Sequence, residues 1–252
     1  MKRKIYLFIL ILIISTCGVS IWQVQRGCSR PKAETQIVTG FPTQKEIDAV
    51  IFDLDGTLLD SLWAWEHSGS NFVRAEGLEP AADLDDKLVT LSLTDGAKLL
   101  KEMYHLPYTL EEILQRTLFP IKNRYFYEIQ PMPGVPELLA RLKAQGIKMA
   151  VATASYKDFA EASLKRLGLA DYFEFIITCD EVGAGKTSPK VYEVAAARLG
   201  TSKTRTLVVE DALHALETAH KAGFKTAGIE EKHSTHQRLE KMKVADYYIL
   251  SY

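Results

Sequence analysis

From residue 135 to the end of the chain, short apolar runs alternate with amphipathic stretches in a rhythm that few folds accept. Helical periodicity is predicted over 135–145, 157–167, 189–199, 213–222 and 236–241. Strand-like runs fall between these stretches at 148–152, 173–178, 206–209, 225–228 and 247–250. Alternating β and α units of this length specify a parallel, doubly wound sheet with helices on both faces, an α/β fold. A further apolar run, 49–52, supplies an opening strand. Between it and the regular alternation, residues 61–128 show no strand pattern but three helical patches, 62–76, 84–104 and 110–127, closed by Pro131, Pro133 and Gly134. That stretch is predicted to be an inserted helical domain. A chain of 252 residues, 47% hydrophobic and 25% charged, can bury the core that such a fold requires.

The opening strand ends in Asp53-Leu54-Asp55-Gly56-Thr57. In extended chain, residues i and i+2 share a face, so Asp53 and Asp55 are expected in one crevice while Leu54 points back into protein. Two crowded carboxylates need a divalent cation with oxygen ligands or a shared proton. Ligands of doubly wound sheets sit beyond the carboxyl ends of the strands, and three more groups fall there. Thr153-Ala154-Ser155 follows one strand with hydroxyls and free amides suited to an anion. Glu210-Asp211 follows another strand with two more oxygen ligands, and Lys186 sits in the loop Gly183-Ala184-Gly185-Lys186-Thr187-Ser188-Pro189. Each has a bland alternative as a helix cap or solvated loop charge, but four at successive strand ends exceed what capping requires.

The order DxDGT, threonine, GK, then ED closely resembles the haloacid dehalogenase superfamily of phosphotransfer hydrolases, over about residues 48–252. Within it, the chain looks most like the branch of β-phosphoglucomutase and phosphoglycolate phosphatase. The resemblance implies a Rossmann-like core over 47–60 and 130–252, with a helical cap over 61–129. It implies that Asp53 attacks phosphorus to form an aspartyl-phosphate and that Asp55 moves the protons. Thr153 and the amides around Ala154 and Ser155 would hold the phosphoryl oxygens, and Lys186 would offset their charge. Mg²⁺ would take oxygen from Asp53, the Asp55 backbone carbonyl and Asp211, with Glu210 nearby. Gly56 would let the backbone approach the phosphate, and Thr57 would steady the turn. The implied function is a phosphatase acting on a small phosphorylated metabolite, with a phosphomutase as the alternative. A receiver-type signalling domain fits poorly, because it lacks a cap. The lysine motif commonly runs GKPxPD, whereas here Thr187 replaces the first proline and Lys190 stands in place of the aspartate.

The first 45 residues hold seven Lys or Arg against one acid, leaving 24 basic and 31 acidic residues in the remainder. An acidic body without a basic stripe argues against nucleic-acid binding. Twenty-one uncharged residues separate Lys4 from Arg26. At about 1.5 Å per residue they would cross a hydrocarbon core, so residues 1–25 are read as a membrane segment, with a cleaved signal as the competitor. Residues 26–46 read as a polar tether. The chain is thus expected at the cell membrane, held in the lipid bilayer by a single amino-terminal span. Positive charge before that span would put the catalytic body outside the cytoplasm. Cys17, Cys28 and Cys179 form no paired spacing, and the chain is read as a monomer.

Overall fold

A computed structural model describes residues 36–38, 41, 45–89, 91 and 93–252. In chain order the elements begin with β1 (Gln36–Val38), β2 (Ala49–Phe52) and β3 (Leu59–Asp60). Five helices follow: α1 (Leu62–Trp65), α2 (Ser68–Ala75), α3 (Leu84–Val89), α4 (Leu93–Tyr104) and α5 (Leu110–Tyr127). The chain then runs through β4 (Gln130–Pro131), α6 (Val135–Ala144), β5 (Lys148–Thr153), α7 (Lys157–Arg166), β6 (Ile176–Thr178), α8 (Cys179–Val182) and α9 (Lys190–Leu199). It ends with β7 (Thr206–Glu210), α10 (Leu213–Lys221), β8 (Lys225–Ile229), α11 (Arg238–Val244) and β9 (Tyr247–Ile249).

Among the described residues the main sheet has seven parallel strands in the order β1-β9-β8-β7-β2-β5-β6, so the expected α/β fold is present. After β2 the chain builds β5 and β6 to one side, then crosses back to lay β7, β8 and β9 on the other. The carboxyl end of β2 is therefore the point where the winding reverses, and a crevice opens there. Burial on both faces follows from the alternation within each strand. Val50 and Phe52 pack with Met149, Val151, Leu207 and Val209 under α6 and α7. Ala49 and Ile51 face the other way with Ala150, Ala152 and Val208, under Val191, Tyr192 and Ala195 of α9. Each large side chain buried there stabilises the fold by roughly 1.5–3 kcal/mol.

Helices α2 to α5 have a small core of their own, built on Phe72, Val73, Leu84, Ala97, Leu100 and Ile113. The chain enters and leaves this insert through an antiparallel pair, Leu59 with Pro131 and Asp60 with Gln130. Two expected helices are broken. His67, at φ 55°, interrupts the first between α1 and α2, and the second is split into α3 and α4, with a bend at Leu91. The expected strand over 173–178 is the shorter β6, Ile176–Thr178, preceded by a 3₁₀ turn at Ala170–Tyr172.

Two readings of the amino-terminal region are corrected. Gln36–Val38, inside the stretch expected to be a tether, pairs with Tyr247–Ile249 as an edge strand. Among the described residues, no helix is long and apolar enough to cross a membrane. The longest, α5, carries Glu111, Glu112, Arg116, Lys122 and Arg124 along its 18 residues. The span assigned to residues 1–25 lies outside the described residues. The cell-membrane placement, and with it the lipid bilayer as a partner, is therefore dropped.

Candidate active site

Three loops at the carboxyl edge of the sheet converge on one buried group of charges. Beyond β2, the Asp53 amide still donates to the Val209 carbonyl at 3.0 Å, which sets Asp53 beside the end of β7. The end of β7 supplies Glu210 and Asp211. Single carboxylate oxygens of Asp53, Glu210 and Asp211 lie within 4.8 Å of one another, the one such grouping among the described residues. Lys186 arrives from the far side. The Thr178 and Glu181 side chains cap α8 reciprocally, Gly183 ends it at φ 63°, and the following loop turns Lys186 inward. Its ammonium donates to Asp53 Oδ1 and, at 2.7 Å, to Glu210 Oε1. Glu210 Oε1 also accepts from the Tyr192 hydroxyl at 2.6 Å, whereas Oε2 is buried without a hydrogen-bond partner.

Gly56 explains how the loop closes on this group. At φ +75°, its backbone lies so near Asp211 that a Cβ would stand 2.7 Å from Oδ2 and 3.0 Å from Leu62 Cδ1. The near neighbour of Gly56 in this structure is a carboxylate of the chain itself. Thr57 is fully buried, its carbonyl accepts from the Tyr252 hydroxyl at 3.1 Å, and its Oγ1 has no partner.

The electrostatics of the cluster follow from its composition. Burial pushes Asp53 well above the usual carboxylate range; Lys186 opposes the rise, while Glu210, Asp211 and Asp55 add to it. Burial and Glu210 push Asp211 up to about 7, against the pull of Lys186 and Lys241. Burial also works against the charge on Lys186, but Asp53 and Glu210 outweigh it and hold the ammonium above an ordinary lysine. Three carboxylates around one lysine leave negative charge uncompensated. With an unpartnered Glu210 oxygen among all-oxygen donors, the set fits a hard divalent cation.

Asp55 lies apart from this cluster in its bonding. The strand ends at Phe52, so simple alternation does not carry both aspartates onto one face; Leu54 is buried, as expected, and the chain turns after it. Asp55 Oδ1 accepts from Ser61 Oγ at 2.6 Å and from the Tyr125 hydroxyl, and Oδ2 accepts from Ser155 Oγ. Among the residues expected to hold phosphate, Thr153 is buried at the end of β5 and its Oγ1 accepts from the Ser155 amide at 2.9 Å. Ala154 is exposed. The Ser155 hydroxyl, read from sequence as an anion contact, is committed to Asp55. The side chain of Asp55 does not join the acidic group.

Sequence reasoning missed Tyr125 and Ser61 as partners of Asp55, and Trp65 as the partner of Tyr125. With 70 residues separating Tyr125 from Asp55, no local pattern connects them. Two cavities of about 630 and 510 Å³ flank the insert, and none of the four charged residues of the cluster lines either one.

A family model of haloacid dehalogenase-like hydrolases matches residues 50–229, a stretch that contains Asp53, Asp55, Thr153, Lys186, Glu210 and Asp211. The chain belongs to this family. Over 179 residues it is 31% identical to a phosphorylated carbohydrates phosphatase of Thermotoga maritima, covering 71% of this chain and 82% of that protein. Over 187 residues it is 30% identical to an N-acetylmuramic acid 6-phosphate phosphatase of Pseudomonas aeruginosa, covering 73% and 81%. Among solved structures, the phosphate complex of CbbY from Rhodobacter sphaeroides superposes with a TM-score of 0.68, covering 81% of this chain and 94% of that one. At 24% identity, that likeness speaks to the fold alone. The expected enzyme class, a hydrolase of the phosphatase type, agrees with these relatives.

Proposed function

We propose that this chain is a Mg²⁺-dependent phosphatase that hydrolyses a small phosphorylated metabolite, with Asp53 as nucleophile and Asp55 as general acid and base. The observation that carries the reading is the different bonding of the two aspartates. Asp53 faces Lys186 and the acidic group, where charge is concentrated, whereas Asp55 is gripped by neutral hydroxyls that suit a group exchanging a proton.

In the first step an Asp53 oxygen bonds to phosphorus, the ester P–O bond breaks, and protonated Asp55 gives its proton to the leaving oxygen. In the second, water attacks phosphorus, yields a proton to the Asp55 carboxylate, and the Asp53–phosphorus bond breaks to release phosphate. Lys186 holds Asp53 in place and offsets charge on the transferred group. Thr153 and the amides after it receive the remaining phosphoryl oxygens. Asp53, Glu210, Asp211 and the Asp55 carbonyl would hold the cation. When bound, Mg²⁺ supplies positive charge that offsets repulsion between carboxylate and phosphate. The insert, read as a cap, excludes water and contacts the leaving group. The names of the two relatives make phosphorylated sugars the substrate class to examine first.

The test is phosphate release from a panel of sugar phosphates and phosphorylated organic acids, with Mg²⁺ and with a chelator. Turnover is expected only with the metal, and Asp53→Asn is expected to abolish it. Near-normal release by that variant would remove Asp53 from the mechanism. An isomerised sugar phosphate without free phosphate would turn the reading to a phosphomutase.

A further inference from the structure

We propose that Tyr125 is a positioning residue for Asp55. It holds the carboxylate by Oδ1 and leaves Oδ2 to carry the proton, while Trp65 fixes the direction of the tyrosine hydroxyl. This rests on the assignment of Asp55 as general acid and base.

The direction of each hydrogen bond follows from the chemistry of the groups. The Trp65 indole N–H can only donate, and it lies 2.7 Å from the Tyr125 oxygen. The phenol therefore accepts from Trp65 and spends its single proton on Asp55 Oδ1. Ser61 Oγ also donates to Oδ1, so both lone pairs of that oxygen are taken. Oδ2 accepts from Ser155 and keeps one lone pair free. Proton exchange with a leaving oxygen or a water is thereby directed to Oδ2.

The donors come from two parts of the chain. Ser61 and Ser155 follow β3 and β5, whereas Tyr125 sits on the last turn of α5 and Trp65 ends α1, both in the insert. Tyr125 is fully buried, and its ring packs on Phe159 of α7 with centroids 5.2 Å apart and on Trp65 at 6.3 Å. From α7, Arg166 donates to the Tyr125 and Ile129 carbonyls, and Asp158 accepts from Lys122 at 3.2 Å. Asp55 thus has its full set of donors only while α5 is seated on α7. Docking of the insert and readiness of the proton-transfer group become one event.

The experiment uses the full chain with Mg²⁺ and two ester probes. p-Nitrophenyl phosphate has a leaving group that departs without a proton; glycerol 2-phosphate has one that requires it. Tyr125→Phe keeps the ring and removes only the hydroxyl. Its kcat on glycerol 2-phosphate is expected to fall roughly ten- to a hundredfold, the effect of losing one hydrogen bond to a charged group. Its KM on the same ester should stay within about twofold, because the residue does not touch substrate. On p-nitrophenyl phosphate the loss should be at most about threefold, a contrast that loss of packing alone would not produce. Trp65→Phe should give a smaller loss with the same dependence on leaving group, and it carries the test if Tyr125→Phe does not fold. Equal losses on both esters, an effect confined to KM, or unchanged kcat beside an active wild type would overturn the assignment of Tyr125 alone. A wild type that releases phosphate from no ester would overturn the hydrolase reading, and this inference with it.

Discussion

At Gly56 a single methyl group would meet the Asp211 carboxylate at 2.7 Å, in a backbone conformation, φ +75°, that residues with a Cβ avoid. Gly56→Ala must therefore shift either the turn or Asp211, and both belong to the proposed cation site. The expected outcome is a rise of roughly tenfold in the Mg²⁺ concentration for half-maximal activity, the usual scale for disturbing a ligand's surroundings. Gly77→Ala is the control, since Gly77 has a similar φ of +76° but nothing within 4 Å of the added carbon. It should cost some stability and leave the Mg²⁺ titration alone; equal shifts in the two variants would discount the contact with Asp211. Asp53, Glu210 and Asp211 were readable because each stands at the carboxyl end of a strand in a parallel sheet, where topology collects them whatever their separation in sequence, and Lys186 because its loop is flanked by glycine and opens a helix. Tyr125 was not readable for the opposite reason. It lies on a helix face, where an aromatic residue ordinarily packs, and only the seating of α5 turns its hydroxyl toward Asp55.

Among the elements, α8 has only four residues and cannot persist on helical propensity, so its reciprocal Thr178–Glu181 cap matters more than it would for a long helix. Its end launches the loop that carries Lys186. Thr178→Ala should cost about 1 kcal/mol of stability and also lower kcat, because the loop loses its fixed start. Helix α5 has the same kind of cap, Thr109 with Glu112, but it spans 18 residues and its cap is solvent-exposed. Thr109→Ala should cost a similar amount in denaturant unfolding with kcat little changed. A Thr178→Ala enzyme with full kcat would show that Lys186 does not depend on α8. The core strands and helices were readable to within a few residues because apolar period and length agree there. The breaks at His67 and after Val89 were not, since the apolar pattern runs on across them. Neither was β1, three residues in a polar stretch whose strand character comes only from its partner β9.

For the molecule as a whole, the acidic group beyond β2 sets function against stability. Asp53, Glu210 and Asp211 are each less than a tenth exposed, and the first two pair with the same lysine, so the folded state carries charge that the unfolded chain would leave in water. A cation that binds only the folded chain should reverse the penalty. At a hundredfold excess over its dissociation constant, Mg²⁺ would contribute about 2.7 kcal/mol. For a chain of this size, that corresponds to a rise of roughly 5–10 °C in thermal midpoint. Asp211→Asn separates the two effects. The neutral amide nearly matches the carboxylate in shape and removes the group that burial and Glu210 push up to about 7. In chelator at pH 8, where wild-type Asp211 is ionised, the variant should melt above the wild type; with Mg²⁺ it should gain less and rank below it. Calorimetry of the two proteins in the two buffers gives four midpoints. If the wild type melted higher in both buffers, Asp211 would be a structural anchor and not a ligand held in place at the expense of stability.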